Sequence, residues 1–156
     1  MHLRHETQIP APRAEVFAFF AASANLQRLH HAPFAVRILH HETAVRVGGE
    51  IWVQVGVAGI LPMVLGFRHN LFEPPARFGE VRIHGVFSRF DHVHEFEEIA
   101  GGTLLRDVLC VELPWYYGGE LAMKFLIGPQ LKKAFAHRST KLLELTQSGD
   151  LLRPSG

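Results

Sequence analysis

Two histidines that alternate with aromatic residues are the side chains of this chain best suited to chemistry. Read as a strand, the sequence places Phe90, His92, His94 and Phe96 on one face, because successive side chains of a strand point to opposite faces. The opposite face is mostly charged, so the histidine face is predicted to point inward. Imidazoles titrate near neutral pH and act as acid–base groups, hydrogen-bonding groups or metal ligands. An inward row of aromatic and ionisable groups indicates a cavity wall and therefore a candidate ligand site.

The preceding strand is predicted to add two charged side chains to this face. Antiparallel pairing around a connection at residues 85–87 sets Glu80 opposite His92 and Arg82 opposite Phe90. Directly opposite residues share a face of the sheet. The cavity is therefore expected to hold a carboxylate and a guanidinium beside the imidazoles.

The following strand, Thr103 to Leu113, offers one more carboxylate. Asp107 is the single charged residue on its more apolar face, which also carries Leu109 and Val111. A tight turn at residues 100–102 would bring Asp107 close to His94. A carboxylate beside an inward imidazole forms a charge-coupled pair.

Three interpretations of the two histidines remain open at this stage. They are core histidines satisfied by Glu80 and Asp107, groups that orient the polar end of a ligand, or catalytic or metal-binding groups. Two histidines at i and i+2 can share one ion, but a third ligand from Glu80, His84 or Asp107 would be needed and no spacing enforces it. No metal and no cofactor are therefore assigned.

Composition narrows the class of protein. The chain has 156 residues, enough for one domain with a sizeable core, and its net charge of +1 gives no reason to expect a nucleic-acid partner. The single cysteine, Cys110, excludes an internal disulfide and fits a reducing compartment. The N-terminus lacks the apolar core of a signal peptide, and the longest apolar run, Val55 to Phe67, is too short to span a bilayer. A cytoplasmic protein without integral membrane association is expected.

The elements that must position these residues follow a simple order. A first strand from Leu3 to Ile9 is followed by two short helices, the first of which begins at Pro12. Six strands are predicted between Phe34 and Leu113, separated by glycine and proline turns, and consecutive strands without intervening helices favour an antiparallel sheet. A long C-terminal helix follows, with a kink or break expected near Gly128 because of Pro129. The predicted class is α+β.

These elements carry the motifs of a known family. The motifs are Ile9-Pro10-Ala11-Pro12 before Val16-Phe17, Gly49-Glu50-Ile51, Pro74-Pro75, Gly85-Val86-Phe87, Phe90-Asp91-His92-Val93-His94-Glu95-Phe96, Gly102-Thr103, Leu113-Pro114 and Phe135-Ala136-His137-Arg138. In their order and spacing the chain resembles the START-like or SRPBCC superfamily, also called Bet v 1-like or polyketide cyclase-like. Within it, the chain is most similar to bacterial ligand-binding SRPBCC proteins.

The resemblance implies a helix-grip domain over residues 1–147, followed by a frayed tail over 148–156. In that fold a curved seven-stranded antiparallel sheet wraps the long C-terminal helix and encloses a cavity for lipids, polyketides, quinones or other apolar molecules. Phe90 stands where the family usually has a tryptophan, which should reshape the cavity. The ligand-binding residues expected are Phe78, Glu80, Arg82, Phe90, His92, His94, Phe96, Asp107, Leu109, Val111, Leu131, Phe135 and Arg138.

The leading hypothesis is binding of a small apolar or amphipathic ligand, by a monomer or a homodimer. The alternative is a cyclase or dehydratase in which His92 or His94, tuned by Glu80 or Asp107, moves protons; the catalytic candidates are then His92, His94 and Asp107. A second alternative is a regulatory or co-chaperone-like interaction module, with the apolar segment Val55 to Leu65 as a dimer surface or lid.

Overall fold

The computed structural model describes residues 1–30, 35–56 and 62–151. The seven strands are β1 His2–Ile9, β2 Val36–His41, β3 Glu50–Val55, β4 Met63–Glu73, β5 Arg77–His84, β6 Arg89–Ile99 and β7 Gly102–Glu112. The helices are α1 Arg13–Ala21, α2 Leu26–Leu29, α3 Gly119–Ala122 and α4 Gly128–Gln147, with 3₁₀ turns at Ser23–Asn25 and Trp115–Tyr117 and a π-helical turn at Met123–Ile127. The centre of the segment expected to form a dimer surface or lid, residues 57–61, lies outside the described residues.

All seven strands form one antiparallel sheet in the order β1-β7-β6-β5-β4-β3-β2. Strands β2 to β7 are sequence neighbours that pair as successive hairpins, and β1 closes the order by pairing with β7. This confirms the predicted α+β class and the curved seven-stranded sheet with two short helices after the first strand. Among the described residues, no helix is both long and apolar enough to cross a bilayer.

The C-terminal helical region is interrupted where the sequence predicts. A π-helical turn occupies Met123–Ile127, and Pro129 lies in the first turn of α4, where its missing N–H leaves no intrahelical bond unmade. From there α4 runs for 20 residues, with Phe135, Arg138 and Leu142 on its buried face. This face packs towards the inner side of the sheet, and the Phe135 ring lies 5.6 Å from the His92 ring between centroids.

The core is divided into two apolar clusters along the inner face of the sheet. One cluster packs around α1 and includes Phe17, Phe78 and Phe96. The other includes Phe67 and Phe90, together with residues of α4. Phe90 and Phe96 belong to different clusters, so the inward residues of β6 between them, His92 and His94, lie between the two apolar clusters.

Residues 148–151, which follow α4, pack against the rest of the domain. Residues 148–151 belong to the tail expected to fray, yet Leu151 is 5% exposed and packs in the α1 cluster. The backbone carbonyl of Asp150 accepts a hydrogen bond from the Arg28 side chain, which holds this end against α2. Residues 152–156 lie outside the described residues.

Candidate functional site

Strand β6 supplies the inward row that the sequence predicts. Phe90, His92, His94 and Phe96 are buried, with both histidines 5% exposed, while Arg89 on the same strand is exposed. The alternation is unbroken over this stretch, so every second side chain enters the core. The two imidazoles lie side by side, with their ring centroids 3.9 Å apart.

Glu80 reaches the same wall from β5. It pairs directly with His92, as the predicted register requires, and Glu80 Oε1 lies 3.5 Å from His92 Nδ1. The two side chains are therefore neighbours on the inner face of the sheet.

His69 extends this row onto β4. It is the direct partner of Glu80 across the next pair of strands, and it is 5% exposed. Its Nδ1 lies 3.9 Å from Glu80 Oε2 and has no hydrogen-bond partner among the residues that the structure describes. Sequence reasoning did not find His69, although its alternation with the buried Leu65 and Phe67 was a usable signal.

Asp107 on β7 lies behind the two histidines and connects them to α4. It pairs with His94 across the sheet, as expected, and is 1% exposed. His92 Nε2 donates a hydrogen bond of 3.0 Å to Asp107 Oδ1, and His94 Nδ1 lies 2.7 Å from the same oxygen at an angle unfavourable for a hydrogen bond. The other carboxylate oxygen accepts a hydrogen bond from the Arg138 guanidinium. Three of the predicted site residues thus converge on one carboxylate.

We call Glu80, His92, His94, Asp107 and Arg138 the polar cluster. Within it, the pKa values of Asp107, His92 and Glu80 are shifted by their partners in the direction opposite to the effect of burial. Burial favours a protonated Asp107, but the Arg138 charge and the two histidines hold the pKa of this carboxyl well below its ordinary value. Burial alone would lower the pKa of His92, yet hydrogen bonds to Asp107 and Glu80 raise it. Burial likewise opposes the charge on Glu80, but His92 keeps the pKa of Glu80 lowered.

His94 behaves differently from its neighbour. Burial, followed by repulsion from the His92 charge, lowers the pKa of His94 to about 4. At neutral pH His94 is therefore neutral. The carboxylates of Glu80 and Asp107 lie beside the Arg138 guanidinium and beside His92, whose charged form its hydrogen-bond partners favour.

A cavity of about 230 Å³ lies between the sheet and α4, and the cluster forms one of its walls. The remaining walls are mainly aliphatic and aromatic side chains from α1, α2, β3, β4 and α4. Of the residues predicted to bind a ligand, those that line the cavity are Phe78, Glu80, Phe90, His92, His94, Leu131, Phe135 and Arg138.

The other five predicted ligand-binding residues lie outside the cavity lining. Phe96, Leu109 and Val111 pack in the core, and Asp107 sits behind the histidines. Arg82 is absent from the lining, although it pairs with the inward Phe67 and its Nε is buried. The pairing of β5 with β6 ends at Val81, so Arg82 is not paired with Phe90 as the sequence predicted.

Sequence reasoning also missed the apolar wall on the β3 and β4 side. Ile51, Val53, Leu65 and Phe67 line the cavity there. Ile51 and Val53 alternate with the more exposed Trp52, and Leu65 and Phe67 are separated by Gly66, which has no side chain to expose; this is the pattern of an inward face.

Comparison with solved structures defines the fold. Over 93% of this chain and 96% of the other, the structure matches protein CV1439 from Chromobacterium violaceum with a TM-score of 0.74 and 17% identity. Protein Ms6760 from Mycobacterium smegmatis matches with a TM-score of 0.74 and 14% identity over 95% of this chain and 92% of the other. Ara h 8.0201 matches with a TM-score of 0.67 and 10% identity over 95% and 98%. The chain has the Bet v 1-like, or SRPBCC, helix-grip fold.

No family model matches the sequence, and no curated protein does. At these identities the structural likeness defines the architecture, and the chemistry of the cavity has to be argued from its own residues.

Proposed function

We propose that this protein binds a small hydrophobic or amphipathic molecule in the cavity between the sheet and α4. The observation that carries the proposal is an apolar cavity with one buried polar wall, made by His69, Glu80, His92, His94 and Arg138. Ligand pockets typically combine apolar walls with a few convergent polar groups that fix the orientation of the ligand. The volume of about 230 Å³ exceeds the roughly 150 Å³ of an apolar cavity that admits benzene.

The two buried carboxylates of the cluster disfavour an anionic end on the ligand. Glu80 and Asp107 already have His92 and Arg138 as partners, so a ligand carboxylate would add a further, unpaired negative charge to a buried site. A hydroxyl or carbonyl group adds none and can hydrogen-bond to Glu80 or to a histidine. The ligand class proposed is therefore an apolar body with an alcohol, phenol or ketone group.

Direct binding measurements test this proposal. Decan-1-ol should bind, and it should displace the fluorescent probe 1-anilinonaphthalene-8-sulfonate if the probe enters the cavity. Decanoate, with the same chain and a charged end, should bind on the order of tenfold more weakly, which corresponds to about 1.4 kcal/mol. Failure of decan-1-ol to bind in a calorimetric titration would overturn the proposal.

A matched pair of substitutions locates the binding. Leu131 lines the cavity, so Leu131→Trp should fill it and weaken alcohol binding at least tenfold. Leu121 is 72% exposed and lies outside the lining, so Leu121→Trp makes the same chemical change on the surface and should leave binding unchanged. Equal affinities of the two variants would place the bound alcohol outside the cavity.

A further inference from the structure

Two imidazoles and a carboxylate converge on one point of the cavity wall. One nitrogen from each of His92 and His94 and one oxygen of Glu80 all lie within 4.8 Å of one another. We propose that these three side chains bind a divalent transition-metal ion, such as Zn²⁺, Co²⁺ or Fe²⁺, with a coordination position open to the cavity. Two imidazoles and a carboxylate are a donor set that these ions accept.

One pair of donors already has nearly the spacing that an ion would impose. Metal–ligand distances of roughly 2.0–2.2 Å place neighbouring donor atoms of a tetrahedral site roughly 3.3 Å apart. Glu80 Oε1 and His92 Nδ1 are already 3.5 Å apart. The side chains come from two adjacent strands in direct register, Glu80 opposite His92, so the backbone holds this spacing. The His94 nitrogen lies within 4.8 Å of the other two donors, and a rotation of its side chain would bring it to bonding distance of the ion.

Asp107 provides the outer support that metal-binding histidines usually have. The Nε2–H of His92 donates to Asp107 Oδ1, and this bond directs the opposite ring nitrogen, Nδ1, at Glu80. A carboxylate that holds the far nitrogen of a ligating histidine fixes its tautomer and its ring orientation. Asp107 is itself held by Arg138 and is 1% exposed, so it cannot compete for the ion from the cavity side.

His69 is a second, independent observation that points to the same place. It is 5% exposed, and its Nδ1 lacks a hydrogen-bond partner among the described residues, which is uncommon for a buried polar group. That nitrogen lies 3.9 Å from Glu80 Oε2, on the side of the carboxylate away from His92. It can orient the ligating carboxylate or enter the coordination sphere. Because His69, Glu80, His92 and His94 all line the cavity, the ion would meet the polar end of a bound ligand.

Titration of metal-free protein with Co²⁺ tests the site. After treatment with EDTA and its removal, calorimetry should show one Co²⁺ per chain, and the visible d–d bands should be those of nitrogen and oxygen ligands. Glu80→Gln and His94→Gln should each weaken Co²⁺ binding on the order of 100-fold, since each removes one of three ligands. Asp107→Asn should weaken it 10- to 100-fold through loss of outer support.

Controls separate this site from surface histidines. His84 is exposed on β5, and His40 and His41 are both exposed on β2, so His84→Gln and the double change His40→Gln/His41→Gln should leave the affinity unchanged. If a variant unfolds, heating supplies a second measurement: Co²⁺ should raise the melting temperature of the wild type and of both controls. Absence of binding, or binding lost in the surface variants and retained in Glu80→Gln, would overturn the proposal.

The same titration distinguishes this proposal from cavity binding itself. Decan-1-ol should bind to EDTA-treated protein whether or not Co²⁺ binds. The Leu131→Trp variant should lose the alcohol and keep Co²⁺, because Leu131 belongs to the apolar wall. Loaded with Co²⁺, the wild type should bind decanoate at least tenfold better than without it, since the ion supplies an open position for a carboxylate oxygen.

Discussion

The buried pair of Asp107 and Arg138 allows a quantitative test of the cluster. Asp107 is 1% exposed and Arg138 is 5% exposed, and the guanidinium donates directly to the carboxylate. Breaking a buried ion pair by removing one partner typically costs about 3–5 kcal/mol, because the other charge stays buried without compensation. Asp107→Asn should therefore lower the free energy of unfolding by about 3–5 kcal/mol and the melting temperature by roughly 10–15 °C for a domain of this size.

The double variant shows whether the two residues act as a unit. If they do, Asp107→Asn/Arg138→Met should cost about as much as one single variant, which gives a coupling energy of about 3–5 kcal/mol in magnitude. The same cycle on the exposed pair Glu73 and Arg77 should give at most about 0.5 kcal/mol. Guanidinium unfolding of all variants in metal-free buffer supplies the free energies. A cost of Asp107→Asn below about 1 kcal/mol, or additive effects of the two changes, would refute the description of Asp107 as the buried centre of the cluster.

The remaining predictions concern pH, backbone packing and core packing. The pKa of His94 is about 4 in the folded protein and 6.5 in the unfolded chain, so between these pH values the unfolded chain binds more protons. The free energy of unfolding should therefore fall as pH decreases through that window, by about 3 kcal/mol in total. In metal-free buffer His94→Phe should flatten this slope; an unchanged slope between pH 4.5 and 6.5 would contradict it. The charged groups facing His94 are Glu80, His92, Asp107 and Arg138. Gly102→Ala should lower the free energy of unfolding by about 2–3 kcal/mol, because the new Cβ would lie 2.1 Å from the Ile9 carbonyl oxygen. The control Gly56→Ala places its Cβ where nothing lies within 4 Å, so in the same assay it should change the free energy of unfolding by less than about 0.5 kcal/mol. Leu109→Ala, at a site with 0% exposure, should cost about 2–5 kcal/mol with ligand affinity little changed; a loss under 1 kcal/mol would show a loosely packed site.

The sequence was sufficient for the part of the site that depends on alternation. The inward face of β6 follows from four apolar or imidazole side chains at every second position, with no bulge in the strand's pairing to β7. The register of Glu80 with His92 follows from the short connection between β5 and β6, which leaves few ways to pair them. The irregularity expected near Gly128 is the π-helical turn Met123–Ile127, which lies just before Pro129, where the missing N–H and the ring disfavour regular α-helical bonding.

Irregular pairing limited the rest of the prediction. The pairing of β4 with β5 shifts twice, and residues beyond each shift change their relation to the cavity in a way that no periodicity records. Between the two shifts, Phe67 pairs with Arg82 and His69 pairs with Glu80. Arg82 was predicted to line the cavity and does not, whereas His69 was not predicted and lines it. Arg138 came from the family resemblance, because contact between α4 and β7 depends on tertiary packing.

The distribution of hydrogen bonds in the cluster argues that stability alone does not account for it. Replacing buried ion pairs by apolar side chains of similar volume is often neutral or stabilising, so a core built only for stability has little need of six ionisable groups, namely His69, Glu80, His92, His94, Asp107 and Arg138. Towards the sheet, Asp107 accepts hydrogen bonds from His92 and Arg138. Towards the cavity, His69 Nδ1 lacks a partner among the described residues and lies 3.9 Å from Glu80 Oε2. A buried polar atom without a partner at a cavity wall is suited to a polar atom or an ion that enters from that cavity.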